Sequence, residues 1–136
     1  MIGSLQVQSR ASLGGNLCNA APSADGVPLL IALDAVAVIH GPDGVREVPA
    51  AQVPAGPGRT SLRPGELLVS LVLPKRSARS TERYYRFTPR REMDIAIAGA
   101  GVRIDLAVDD TVKAVRIVLA SVGPTPIRAL KAEAAM

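Results

Sequence analysis

The stretch Ala35-Val36-Ala37-Val38-Ile39-His40-Gly41-Pro42-Asp43-Gly44-Val45-Arg46-Glu47-Val48-Pro49 reads as a strand, a turn and a return strand. β-Branched residues fill both arms, and Gly41, Pro42, Asp43 and Gly44 are residue types that turns favour. Such a hairpin pairs antiparallel. A doubly wound sheet needs helices alternating with strands, and the chain shows no such alternation, so the predicted class is α+β with antiparallel hairpins.

Upstream of the hairpin, Pro28-Leu29-Leu30-Ile31-Ala32-Leu33 follows Ser23 and Asp25, either of which suits a helix N-cap. Leu29, Leu30 and Leu33 share a helical face, which predicts a short helix near residues 25 to 34. Before it stands Ser12-Leu13-Gly14-Gly15-Asn16. Two adjacent glycines permit positive φ or a close approach of backbone to a ligand, and Ser12 and Asn16 add hydrogen-bonding groups. Taken alone, these five residues fit an anion cradle or an ordinary turn. Ile2 to Arg10 reads as a short helix or turn carrying Leu5 and Val7.

Downstream, residues 49 to 65 are rich in Pro and Gly and read as a loop, with one turn of helix at Ala50 to Val53. Leu67 to Leu73 is a strand that Pro74 ends. Lys75 to Glu82 is charged and Ser-rich, the best place for a linker. Arg83 to Phe87 is a strand holding Tyr84, Tyr85 and Phe87, every aromatic residue of the chain, and a charged corner from Pro89 to Asp94 follows it. A second hairpin is expected from Ile95 to Ala107 and Val112 to Val122, with Gly99 and Gly101 marking a bulge or close packing. Arg128 to Met136 begins an Ala-rich helix.

Composition narrows the function. The 136 residues are 48% hydrophobic but only 2% aromatic with no Trp, so the core rests on Val, Leu, Ile and Ala. The net charge of +4 comes from dispersed Arg and Lys without interleaved aromatics, which argues against nucleic-acid binding. Cys18 is the only cysteine, so an intrachain disulfide is excluded and a cysteine-ligated cluster would belong to another chain. His40, the only histidine, falls on a strand with no nucleophile motif beside it, so no catalytic triad is expected. No apolar run approaches the roughly 20 residues of a membrane span, and the start lacks a secretory pattern. A cytoplasmic protein is expected.

The order of motifs says more than any one of them. Arg10-Ala11-Ser12-Leu13-Gly14-Gly15-Asn16-Leu17, Pro22-Ser23-Ala24-Asp25, Gly56-Pro57-Gly58-Arg59-Thr60, Pro64-Gly65-Glu66-Leu67-Leu68, Arg90-Arg91-Glu92-Met93-Asp94-Ile95-Ala96 and Pro124-Thr125-Pro126-Ile127-Arg128-Ala129 occur in one succession. Together they resemble the flavin-binding subunit of the molybdenum hydroxylases, a family that includes xanthine dehydrogenase and the medium subunit of aerobic carbon monoxide dehydrogenase. The resemblance covers essentially the whole chain.

It implies that Ser12, Gly14, Gly15 and Asn16 are FAD contacts, that Asp25 meets the cofactor as the acidic residue after the Asn, and that Leu68 lies near the flavin ring. Arg86 matches a position where relatives commonly carry Lys. The family's other glycine-rich flavin motif, of A-G-G-T type, has no counterpart here. The expectation is therefore a fragment: the second lobe of the FAD-binding domain over residues 1–78 and the first part of the C-terminal domain over residues 79–136. The missing N-terminal flavin lobe, a molybdenum-cofactor large subunit and a [2Fe–2S] small subunit are the implied partners. The implied role is electron transfer through FAD to NAD or another acceptor, as an oxidoreductase subunit whose isolated chain is inactive. The competing expectation is a truncated remnant or interaction module that keeps the fold and binds no flavin.

Overall fold

A computed structural model describes Gly3, residues 5–90 and residues 94–136. Arg91, Glu92 and Met93 of the charged corner lie outside the described residues, as do Met1, Ile2 and Ser4. The N-terminal segment forms helix α1 (Leu5–Gln8), with no buried residue. It leads into helix α2 (Leu13–Cys18), which contains both glycines of the Ser12–Asn16 stretch. Glycine costs about 1 kcal/mol relative to alanine inside a helix, so local propensity opposes this element. Its support comes from Ser12, an extended N-cap whose hydroxyl accepts the Gly15 N–H at 3.0 Å, and from the fully buried Leu17.

Helix α3 (Val27–Ala32) falls within the span predicted for it, but its N-cap is Gly26. Neither Asp25 nor Ser23 caps it: no side-chain hydrogen bond is made at this end, the Asp25 carboxylate turns to Tyr84 and Arg86, and the Gly26 N–H donates to Asn16 Oδ1 at 2.9 Å. The hairpin at residues 35–49 forms as read: β1 (Val36–Gly41) and β2 (Gly44–Pro49) pair antiparallel from Val36 and Pro49 to Gly41 and Gly44. His40 is exposed. A single 3-10 turn follows at Ala50–Gln52.

The Pro/Gly-rich segment is not simply a loop. It contains a miniature hairpin, β3 (Pro54–Gly56) with β4 (Arg59–Thr60). Gly58 reverses the chain there with φ +65°, a conformation side chains disfavour, and its N–H donates to the Ala20 carbonyl at 3.0 Å. Strand β5 (Leu67–Val72) then pairs antiparallel with the free side of β1, giving the order β2-β1-β5.

After an exposed connection, β6 (Ser80–Phe87), β7 (Ala98–Leu106), β8 (Val112–Ala120) and β9 (Ile127–Arg128) form a second antiparallel sheet in sequence order. The last element is helix α4 (Leu130–Glu133), shorter than the helix expected from Arg128 to Met136. Arg128 pairs with Val118 instead, and its guanidinium reaches Glu133 at 2.5 Å. The architecture is α+β with all strand pairs antiparallel among the described residues.

One buried cluster joins the two halves. Val27, Leu30 and Ile31 of α3 pack with Leu17, Ala37 and Val53 from the first half and with Val118 from β8. Gly101 lets α3 approach β7, and Gly99 makes room for Tyr84 of the neighbouring strand. A Cβ on Gly101 would stand 2.8 Å from the backbone carbon of Pro28, and one on Gly99 would stand 2.5 Å from the Tyr84 hydroxyl. Close packing, not a bulge, is their role; the irregularity in β7 lies at Asp105 and Leu106. No helix among the described residues is long and apolar enough to cross a membrane.

Candidate functional site

Helix α2 and strand β5 face each other across an open pocket of about 540 Å³. Ser12, Gly14, Gly15 and Cys18 form one side, and Leu67 and Leu68 belong to the other. The absence of side chains on the glycines makes the gap. A Cβ on Gly14 would come within 3.3 Å of Leu68 Cδ2, and one on Gly15 within 3.0 Å of Ser12 Oγ. The pair therefore serves close approach. Neither glycine has a positive φ, unlike Gly58 and Gly65.

Four of the residues singled out from the sequence, Ser12, Gly14, Gly15 and Leu68, meet at this pocket. The other three do not line it. Asn16 spends its carboxamide oxygen on the Gly26 N–H, tying α2 to the start of α3 and leaving its Nδ2 as the remaining polar group. Asp25 accepts from the Tyr84 hydroxyl at 3.0 Å and from Arg86 Nη1 at 3.1 Å. Those two donors stand on β6 two residues apart, the spacing that places side chains on one sheet face. Burial, and then the Asp25 carboxylate, push the Tyr84 phenol well above its ordinary pKa and keep it protonated. Tyr84 was missed as a site residue, although its alternation with Arg86 along the strand marked a shared face.

The pocket's chemistry selects what fits. Its lining is aliphatic side chains, two glycine backbones, the serines Ser12 and Ser70 and one thiol, with no charged side chain. A diphosphate finds no cation here, whereas a flat, uncharged ring system with adjoining hydroxyls finds an apolar wall and polar atoms at Ser12. The Gly15 N–H is engaged by Ser12 and does not point a free donor into the space. These residues fit the flavin end of FAD. Burial raises the Cys18 thiol pKa, so it stands in the pocket as the neutral thiol. Leu62 and Leu71 complete the wall; the sequence marked neither as a site residue, because an aliphatic residue at a pocket reads the same as one in a core.

Just behind the wall, Glu66 holds the entry to β5. Its carboxylate accepts Arg46 Nε and Nη2, both at 2.7 Å, and the Arg63 N–H at 2.7 Å. The Arg46 fork, with the Arg63 N–H second, brings the Glu66 carboxyl down from 4.5 to about 2. A depressed folded pKa contributes stability that is fully present above pH 4.5 and is lost as pH falls through about 2. The urea midpoint of the native chain should therefore fall across that window, and Glu66→Gln should flatten the fall. Equal acid sensitivity in both proteins would place the loss at other carboxylates.

Comparison with known proteins gives the family and the fold. Residues 1–76 match the family described as the FAD binding domain in molybdopterin dehydrogenase, and residues 83–136 match the carbon monoxide dehydrogenase flavoprotein C-terminal domain. The chain is 34% identical over 129 residues to the putative xanthine dehydrogenase FAD-binding subunit of Escherichia coli, covering 94% of this chain and 44% of that protein. It is 34% identical over 128 residues to the carbon monoxide dehydrogenase medium chain of Hydrogenophaga pseudoflava, with 94% and 44% covered. A solved structure of carbon monoxide dehydrogenase from the same organism superposes with a TM-score of 0.92 at 35% identity, over 99% of this chain and 46% of that one. The chain thus spans less than half the length of the relatives it matches. With the glycine helix, the hairpin and the second sheet all matched in one alignment, this chain belongs to the FAD-binding domain family of the molybdopterin dehydrogenases.

Proposed function

We propose that this chain forms part of the FAD-holding element of a molybdenum hydroxylase, an electron-transfer subunit that works beside a molybdenum-cofactor large subunit and a [2Fe–2S] small subunit. The observation that carries the proposal is the uncharged pocket between Gly14 and Leu68. When bound, FAD supplies the redox chemistry, accepting electrons from iron–sulfur clusters and releasing them to NAD or another acceptor. The protein's own part is positional. Leu68 excludes water from one face of the ring, Ser12 offers a hydroxyl, and Gly14 and Gly15 let the ligand reach the α2 backbone.

Asn16 holds α2 against α3 and keeps Nδ2 for a cofactor oxygen. Asp25, with room for more hydrogen bonds than its two present donors fill, accepts from ribityl or ribose hydroxyls, and its ion pair with Arg86 fixes the direction of the carboxylate. In this reading residues 1–78 are the second flavin lobe and residues 79–136 the beginning of the C-terminal domain, with a further N-terminal flavin lobe as partner for the diphosphate. Substrate choice belongs to the large subunit.

Cys18 provides the test, since its thiol lines the pocket. At one fixed alkaline pH, where the raised thiol still supplies some reactive thiolate, FAD and riboflavin should both slow alkylation of Cys18 by N-ethylmaleimide several-fold, and ADP should not. Protection by ADP but not riboflavin would reverse the assignment of the flavin end. No protection by any of the three, with no flavin retained on ultrafiltration, would favour a module that keeps the fold without the cofactor.

A further inference from the structure

The wall strand of the pocket carries a register fault. Between β1 and β5, Val38 pairs with Ser70 and Ile39 with Leu68, so Val69 is an extra residue and the ladder slips by one at that point. Bulges disrupt the hydrogen-bond ladder locally, and a one-residue slip turns every side chain of a strand to the opposite face. Leu68, which faces Gly14, lies with Leu67 beyond this bulge, where the two pairs Leu68–Ile39 and Leu67–His40 are all that the ladder offers to hold the register. A constraint outside the ladder acts strongly on so short a segment.

Glu66 supplies one. Its side chain, 8% exposed, lies over Gly41 at the end of the central strand and reaches Arg46 on the outer strand β2. A Cβ on Gly41 would stand 2.7 Å from Glu66 Cγ, so the crossing exists because residue 41 is glycine. Arg46 binds both carboxylate oxygens and also donates to the Ser61 carbonyl at 3.1 Å, while Glu66 takes the Arg63 N–H and gives its own N–H to the Arg63 carbonyl at 3.0 Å. The bidentate fork fixes direction as well as distance. All three strands of the sheet and the turn before β5 are thereby joined at one carboxylate.

We propose that Glu66, clamped by Arg46 across Gly41, is a positioning residue that sets the register of Leu67 and Leu68 and so shapes the flavin-facing wall. The inference rests on the flavin reading of the pocket only for its consequence, not for the clamp itself. The clamp is removed in two independent ways, by Glu66→Gln, which loses the charge-assisted fork, and by Gly41→Ala, which displaces the side chain. Glu133→Gln is the control. It breaks a comparably buried pair, Arg128 with Glu133, on the other sheet, where the Glu133 side chain is 9% exposed and also accepts the Ile117 N–H.

Two measurements are made on the full chain: hydrogen exchange of the Leu67–Leu71 amides without ligand, and FAD affinity by quenching of flavin fluorescence. Both clamp variants should exchange these amides about ten-fold faster and bind FAD about ten-fold more weakly, the size of one lost charge-assisted hydrogen bond. Glu133→Gln should match the native protein in both. Unchanged exchange over Leu67–Leu71 in the clamp variants would overturn the proposal, as would the same changes in the control. If the native chain binds no FAD, the flavin reading fails, and the exchange measurement alone still decides the clamp.

Discussion

Gly101→Ala should destabilise the protein by about 3 kcal/mol, because overpacking against backbone has no cheap relief. The added carbon would lie 2.8 Å from the Pro28 backbone carbon and 2.9 Å from its carbonyl oxygen. Pro28 sits in the first turn of α3 and is fully buried, so the helix as a whole would have to lift from β7. That movement opens the cluster containing Val27, Leu30 and Val118, which joins the two halves. Gly99→Ala offers the contrast. Its added carbon meets the far end of Tyr84, which can rotate away at the expense of the hydrogen bond to Asp25, about 1 kcal/mol. Urea unfolding of the two variants measures the difference. Equal losses would show that α3 slides over the sheet without resistance.

Gly14→Val should leave the fold in place and lower FAD affinity by about two orders of magnitude, a loss near 2.7 kcal/mol. Here the first added carbon is tolerable, 3.3 Å from Leu68 Cδ2, but two further methyls would occupy the gap between α2 and β5. The pocket closes from within, and the pressure falls on Leu68 at the margin of the core cluster and not on the buried residues Leu17, Leu30 and Val118 within it. Far-ultraviolet circular dichroism and the urea midpoint check the fold, and equilibrium dialysis against FAD checks the site. Full retention of flavin by Gly14→Val would mean that the cofactor lies elsewhere and that the glycine pair is only a tight first turn of a helix.

The two glycine pairs also show what kind of information a sequence holds. Gly99 and Gly101 interrupt a strand, which left a bulge and close packing as the two readings, and the structure chose packing. Nothing in the sequence named Pro28 as the neighbour, since the partner comes from a helix some seventy residues earlier and long-range contacts leave no periodic trace. For Gly14 and Gly15 the local pattern pointed to a turn, and a helix formed. Ser12 capped it and Leu17 was buried beneath it, so tertiary packing outweighed the low helix propensity of glycine.

Site residues divide the same way. Ser12, Gly14, Gly15 and Leu68 were legible because the motif order marked them, and they converge on one pocket. Leu62 and Cys18 were not, because an aliphatic or thiol side chain carries no mark of facing a cavity. Asp25 was legible as a special carboxylate but not as the partner of Tyr84 and Arg86, which are about sixty positions away in the chain.

By itself the sequence determined the antiparallel hairpins, the α+β class and the family, because strand alternation, turn residues and motif order are all local or linear properties. Only the tertiary structure decided that α3 fills the space against Gly101, that the pocket lining is uncharged, and that Glu66 crosses Gly41 to grip Arg46. Each of these depends on side chains distant in sequence meeting at a few ångströms. Burial and hydrogen-bond geometry select such meetings, and no residue pattern along the chain encodes them.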